Sequence, residues 1–415
     1  MIRMTREPAK KVAFISSYTP RKCGIATFTS DLINNMKLAG GEEFEAQVFA
    51  MQSGTDLEYD KPVKPEIRKD VKYDYISAAD YINLSDVDVV SIQHEFGLFG
   101  GQGGSYLSLL LKRLKKPVIT TLHTVLEKPP VNYFDSMVDI CQTSSRLIVM
   151  NKRGVDMLQD IYGIPACKIE LIPHGIPDLP FADSNYYKRK LGIAGRKTIL
   201  TFGLLSKNKG IEVVLKALPA IAKAEPSVLY IVLGATHPEV LRCEGQSYKC
   251  KLERIVRDLG LQRNVIFYNR FVNNQELFGF LGAADIYVTP YQHKEQLTSG
   301  TLAFAVGTGK AVISTPYWAA QELLAHGRGR LVRFGDSEHI ARSVVEILNN
   351  SSLFSWMKRR AYEYGRSMTW PKVGRAYWKL SSSRASLIQI PLKVNISSPN
   401  WKTLTYRQQP IYQSA

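Results

Sequence analysis

The chain has 415 residues, 45 % of them hydrophobic and 22 % charged, and carries a formal net charge of +17. That length points to two or three domains and that balance to a globular protein with sizeable cores. No run of about 18 apolar residues is present, so no helical membrane span is expected; no zinc-finger, RNA-recognition or basic-zipper signature makes nucleic acid the partner of the positive charge, which leaves an anionic membrane face or a small phosphorylated molecule.

Residues 11–17 (KVAFISS) form a short apolar, β-rich run suited to a buried parallel strand. A Pro/Gly loop follows at 19–24, then helical spacing over 26–38 with Phe28, Leu32, Ile33 and Met36 on one side. Strand, loop and helix in that order open a doubly wound α/β domain. Further strands are expected at 46–51, at 87–92 running into Gln93-His94-Glu95, at 117–122 ending at His123, at 146–150, and at 169–172 running into Pro173-His174-Gly175. Helices are expected at 106–114 and 153–161.

Residues 176–185, rich in Pro, Asp and Ser, read as a linker or hinge. A second α/β series starts beyond them. Its strands are expected at 198–203, 227–234, 265–268, 286–290, 311–315 and 329–332, and its helices at 211–223, 249–259, 274–283 and 302–306. Residues 337–349, 352–367 and 370–380 read as closing helices. The expected organisation is a first domain over 1–178, a second over 179–367, a helix at 368–382 and a polar tail at 383–415, either disordered or the stub of a further domain. In open sheets of this kind ligands sit beyond the C-terminal ends of the strands.

The five cysteines (Cys23, Cys141, Cys167, Cys243 and Cys250) have neither disulfide-framework nor zinc spacing, which suits a reducing, cytoplasmic compartment. Residues 1–11 are polar and basic, without the apolar segment of a secretory signal. The basic runs at Arg21-Lys22, 112–116, 188–190 and 358–360 read as solvated helix faces, or, for the first, as a lip over an anionic substrate.

Several loop ends carry chemistry. Gly24 precedes a helix start, where it serves either a plain tight turn or a close approach of backbone to an anion. The loop 203–210, with Gly203, Ser206 and Lys209 between a strand and a helix, suits a diphosphate or is simply solvated; it lacks Walker A spacing. Ser299, Gly300, Thr301 and Leu302 open a helix and offer either an N-cap or free N–H groups for an anion. His94 and His123 stand at two strand ends, as structural histidines or as members of one polar site. No His or Cys pair has metal-ligand spacing.

Taken in order and spacing, several of these segments resemble retaining glycosyltransferase family 4 over residues 11–380. They are Cys23-Gly24-Ile25-Ala26, Thr121-Leu122-His123, Ile172-Pro173-His174-Gly175, the 203–210 loop and Gly234 in VLGATHP. Ala283-Ala284-Asp285-Ile286 through Pro290, Gly309-Lys310-Ala311-Val312 and Gln321-Glu322-Leu323-Leu324 before Gly327 complete the set. The resemblance implies the GT-B fold: two Rossmann-like doubly wound domains facing across a cleft, with the C-terminal helix crossing back to the first. It implies metal-independent transfer of a hexose from a nucleoside-diphosphate sugar to a sugar or lipid-linked acceptor, with no cofactor. Apart from the resemblance, the absence of nucleic-acid-binding signatures argues against nucleic acid as a partner, and the net charge of +17 alone points to peripheral contact with an anionic membrane.

On that resemblance Lys209 would hold the donor diphosphate, joined by Gly203, Ser206 and the backbone of Ser299, Gly300, Thr301 and Leu302. Gly24 would approach the phosphates from the first domain. His123 would sit beside the transferred sugar, with His94 and Glu95 in the sugar and acceptor pocket. The family often has arginine where this chain has Leu204, and its two glutamates eight positions apart fall on Gln296 and Phe304. Gln296 can still hydrogen-bond a sugar hydroxyl, and Glu295 would take the catalytic contact if the register slips by one. A non-catalytic sugar-nucleotide-binding protein and a GT-B sugar phosphorylase or synthase are the alternatives.

Overall fold

In the first unit, runs of β-branched and apolar residues pair as a parallel sheet: β1 (Lys10–Ser16), β2 (Phe44–Gln52), β3 (Ile67–Arg68), β4 (Val89–His94), β5 (Val118–Leu122), β6 (Arg146–Val149) and β7 (Ile169–Leu171). The computed structural model describes residues 10–52, 57–59, 63 and 66–392. Its first unit holds the chain as far as Gly175 and again from Trp370; the second is Ile176–Thr369.

The strand order of the first sheet is β3-β2-β1-β4-β5-β6-β7, so the order reverses at the β1/β4 pair. Register matches Val12 to both Ala46 and Val89, and His94 to Leu122. All six residues of β4 and all five of β5 are buried, as a sheet covered on both faces requires. The crossovers are α1 (Gly24–Gly40), α2 (Lys72–Leu84), α3 (Leu107–Leu111), α4 (Val131–Thr143) and α5 (Lys152–Asp160). Helix α1 buries Phe28, Leu32, Ile33 and Met36, the stripe that its three- and four-residue spacing marks.

The second unit begins with α6 (Ser184–Lys190), then β8 (Lys197–Phe202), α7 (Ile211–Ala224), β9 (Val228–Leu233), α8 (Pro238–Glu244), α9 (Ser247–Asp258) and β10 (Val265–Tyr268). It continues with α10 (Asn274–Ala283), β11 (Ile286–Thr289), α11 (Gly300–Gly307), β12 (Ala311–Ser314), α12 (Trp318–Leu323), β13 (Arg330–Leu331), α13 (Ser337–Asn349) and α14 (Ser351–Gly365). Its parallel sheet runs β10-β9-β8-β11-β12-β13, again reversing in the middle, at β8/β11. This is the doubly wound pattern twice over.

The chain then returns to the first unit as α15 (Trp370–Ser382), which lies on α1 so closely that a Cβ at Gly374 would come within 2.5 Å of Asn35. Val373, Tyr377 and Leu380 of α15 join the core that Phe28, Leu32 and Met36 build.

Two stretches differ from their sequence reading. Residues 176–185 are not a free linker: Ile176 is fully buried and bridges to Thr369, and the Leu179 carbonyl accepts a hydrogen bond from Tyr362 Oη (3.0 Å). Burial of one isoleucine outweighs the Pro/Asp composition. The tail beginning at Ser383 starts as an ordered strap. A one-turn helix, α16 (Arg384–Leu387), leads to carbonyls of Leu387 and Ile390 that accept from Ser145 Oγ (3.1 Å) and Lys168 Nζ (3.2 Å). Residues 393–415 of that tail lie outside the described residues. Helices α2, α4, α6, α8, α12 and α16 are not among the expected elements: α2 (Tyr75, Ala78, Ala79, Ile82) and α4 (Phe134, Met137, Ile140, Cys141) do bury residues at helical spacing, whereas the others are too short to show a stripe.

Candidate functional site

At the strand ends of the first unit the polar side chains are buried. His94 closes β4 and His123 follows β5, with the His123 N–H donating to the His94 carbonyl at 3.0 Å. Gln93 sits between the chains of polar contacts. Its Nε2 donates to Thr121 Oγ1 (3.4 Å), which leaves its Oε1 to accept from His123 Nε2 (3.0 Å), so His123 carries its proton on Nε2. Phe28 of α1 stands edge-on to both His123 and His174, with centroids 5.0 and 5.1 Å away.

Burial pushes the His123 imidazole down to about 3, helped by the neighbouring His174 and His94. Burial alone does the same to His94, and burial brings His174 to about 4. Neither ring nitrogen of His94 has a hydrogen-bond partner among the described residues; its ring stacks on Phe99 (5.8 Å, 8°) and meets the edge of Phe96. Glu95 is buried, and burial raises its carboxyl to about 7 against the pull of two donors. These are Thr124 Oγ1 (2.5 Å) and the Phe96 N–H (3.1 Å). His94, Glu95 and His123 are therefore brought together, the two imidazoles neutral and the carboxyl partly protonated near pH 7. Gly24, the first residue of α1, is exposed, and Cys23 before it caps the helix through Sγ accepting from the Ala26 N–H (3.3 Å).

The second unit gathers a cation and a row of hydroxyls. Lys209 Nζ donates to Tyr291 Oη (2.8 Å) and lies 4.1 Å from the centre of that ring. Tyr291 Oη is 3.1 Å from Thr301 Oγ1 in the first turn of α11. Ser299 is the N-cap, its Oγ accepting from the Leu302 N–H at 3.4 Å. That leaves the amides of Gly300 and Thr301 without an intrahelical partner, at the positive end of the helix dipole. Lys209, Ser299, Gly300, Thr301 and Leu302 thus form one group.

The loops around this group are glycine-dependent. Gly210 has φ +63°, and a Cβ there would meet the Pro290 carbonyl at 2.2 Å. Gly234 (φ +149°) passes so close to Gly203 that a Cβ would lie 1.9 Å from the Gly203 carbonyl oxygen. Gly203 itself faces the methyl of Thr301. Ser206 contributes its carbonyl, which accepts from the Lys209 N–H (3.0 Å).

Between β11 and α11 the two candidate positions separate. Glu295 is exposed. Gln296 is buried: its Nε2 donates to the Thr298 carbonyl (3.1 Å), and its Oε1 has no partner among the described residues. The register slip that would favour Glu295 does not place a carboxylate in the buried position. Phe304 packs into the apolar core of the unit beside Leu302 and Ala305. Tyr291, Tyr317, Gln93 and Thr124 were not singled out from sequence; the one signal available was that Tyr291 follows a strand end directly after a proline.

Comparison with known proteins places this geometry. The family model described as "Glycosyl transferases group 1" matches residues 183–368 and that described as "Glycosyltransferase Family 4" matches residues 23–178. Mannosylfructose-phosphate synthase of Agrobacterium fabrum is 24 % identical over 60 % of this chain and 55 % of that enzyme. Phosphatidyl-myo-inositol mannosyltransferase of Mycolicibacterium smegmatis is 28 % identical over 71 % of this chain and 70 % of its own. The chain spans 43 to 63 % of the length of three of the curated relatives it matches. Among solved structures, Anabaena Alr3699/HepE in complex with UDP and glucose superposes with a TM-score of 0.68 at 17 % identity, covering 89 % of this chain and 98 % of that one. Sucrose-phosphate synthase of Thermosynechococcus elongatus gives 0.68 at 15 % identity over 89 % and 98 %.

Proposed function

Because this chain belongs to glycosyltransferase family 4 and has the GT-B fold, we propose that it transfers a hexose from a nucleoside-diphosphate sugar to a sugar or lipid-linked acceptor, with retention and without a metal ion. The observation that carries the reading is the second unit's Lys209 ammonium, tied through Tyr291 to the start of α11. Cleaving the anomeric C–O bond builds negative charge on the departing diphosphate. A lysine and fixed helix-start amides stabilise that charge more in the transition state than in the ground state.

The buried polar strand ends of the first unit suit an uncharged, hydroxyl-rich partner. His123, held in one tautomer by Gln93, can offer a bare Nδ1 to a sugar hydroxyl. Gln296, with an unpaired buried Oε1, is the better candidate than Glu295 for a hydroxyl of the transferred sugar. The relatives named mannosylfructose-phosphate synthase and phosphatidyl-myo-inositol mannosyltransferase support including a phosphorylated sugar and a phosphatidylinositol among the acceptors to be tried. Among the described residues no helix is long and apolar enough to cross a membrane, so a lipid acceptor would be met from the surface.

The second reading is a nucleotide-sugar-binding protein without turnover, favoured by Phe304, whose buried ring cannot accept from a ribose hydroxyl. A panel of UDP-, ADP- and GDP-sugars separates the two. Calorimetric binding with release of free sugar in the presence of EDTA, and an α-anomeric NMR product from an α-linked donor, support transfer with retention. Tight binding with no release across acceptors supports the binder, and binding of no donor overturns both.

A further inference from the structure

We propose that Tyr291, backed by Tyr317, is a positioning residue that makes Lys209 and the hydroxyl of Thr301 act as one grip on a diphosphate. The proposal rests on reading the second unit as the nucleotide site.

A lysine side chain on a loop is a flexible point charge, and ordering it costs rotamer entropy that weakens any contact it makes. Here that freedom is already removed. Tyr291 is 1 % exposed and clamps Lys209 from two directions, by a hydrogen bond of 2.8 Å and by its ring face at 4.1 Å. The phenol is itself fixed: its ring stacks on Tyr317 with centroids 5.0 Å apart and planes at 18°, and its carbonyl accepts from Thr315 Oγ1 (2.6 Å). Tyr317 in turn donates to Ser299 Oγ (3.4 Å), the cap of α11. Two stacked tyrosines therefore tie the lysine loop to the helix start.

The direction of the hydrogen bonds follows from the donor inventory. An ammonium only donates, so Tyr291 Oη accepts from Lys209, and the same oxygen shares a hydrogen bond with Thr301 Oγ1, 3.1 Å away, in which either hydroxyl can donate. When Tyr291 is the donor, the Thr301 hydroxyl, which otherwise has Ser299 Oγ at 3.4 Å, can give its proton to an anion oxygen at the helix start. Each donor in the relay polarises the next. Burial would push the Tyr291 phenol up, but the charge and hydrogen bond of Lys209 outweigh it and hold the phenol below its ordinary value. That fits a phenol acting as a strengthened donor.

The test is binding by the full chain of UDP, ADP and GDP by calorimetry, carrying forward whichever binds, with the matching nucleoside followed by ligand-observed NMR. Tyr291→Phe keeps the ring stack and removes only the relay. It should weaken the diphosphate about tenfold and leave nucleoside binding and the melting temperature unchanged. Lys209→Ala combined with Tyr291→Phe should lose clearly less than the sum of the two single losses, because the two residues share a contact. Full diphosphate affinity in Tyr291→Phe, or losses that add in the double variant, overturns the proposal. A wild type that binds none of the three nucleotides overturns the nucleotide reading itself, and the proposal with it.

Discussion

At its strand ends the first unit gathers groups whose charged forms burial disfavours, His94, His123 and Glu95, whereas the second gathers one ammonium and the hydroxyls of Tyr291, Ser299, Thr301 and Tyr317. The two sheets have the same winding, each reversing strand order in its middle. One winding therefore presents two kinds of surface, and the difference lies in how deeply the ionisable groups are set. At His94, Glu95 and His123 desolvation exceeds what their partners offset. In the second Lys209 stays half-buried and keeps a phenol beside it. On the proposed function, charge recognition would fall to the second unit and neutral polar recognition to the first.

The largest expected effect concerns acid. His94 and His123 have native values of about 3 against an ordinary 6.5. For groups depressed in the native state, the stabilisation is complete above pH 6.5 and is lost as pH falls toward 3, by several kcal/mol per imidazole. In the second unit, His293 and His326 are exposed and His237 and His339 half-buried. Hydrogen exchange, corrected for its intrinsic pH dependence, should show the first unit losing protection between pH 6 and 4 before the second does. Simultaneous loss would break the comparison.

Glu95 works in the opposite sense. Its native value of about 7 lies above the ordinary 4.5, so its contribution is fully present below pH 4.5 and is lost as pH rises through 7. Glu95→Gln should remove that loss. Urea unfolding should find the variant gaining on the wild type by up to about 3 kcal/mol between pH 4.5 and 7.5. A pH-independent difference would mean that the carboxyl is not held neutral.

Lys209→Ala should cost about 1.5–3 kcal/mol of diphosphate affinity by calorimetry, with the fold intact. Unchanged affinity would remove the distinction between the two sets of strand ends. The smallest effect is the control two residues away. Lys207 pairs with Glu244 at 2.8 Å on the surface, its side chain 63 % exposed. Lys207→Ala should change stability and nucleotide binding by less than about 0.5 kcal/mol, and a larger effect would extend the grip beyond Lys209.

The sequence carried the fold because its strands are short continuous apolar runs followed by loops, a pattern that burial on both sheet faces imposes. Residues 11–17, 198–203 and 286–290 each fall on a strand within a residue or two. The candidate site was partly legible for the same reason, since Lys209, Ser299 and His123 all stand where a strand or helix ends. Its remaining members were not. Tyr291 is an aromatic in a buried stretch, indistinguishable from a core residue until its hydroxyl is seen to meet Lys209, 82 positions away. The choice between Glu295 and Gln296 was equally hidden, because a loop has no periodicity to say which neighbour turns inward.

By itself the amino-acid order determined two doubly wound halves, their strand ends and a last helix with one apolar stripe, because local burial leaves a period in the sequence. Only the tertiary structure decided which polar groups meet. Thr121 and Tyr377, 256 residues apart, share a hydrogen bond because sheet order and the return of α15 bring them together. Only burial in place moved His123 and Glu95 toward their uncharged forms. Spacing records which face a residue shows, while hydrogen-bond partners and desolvation depend on what the rest of the chain packs against that face.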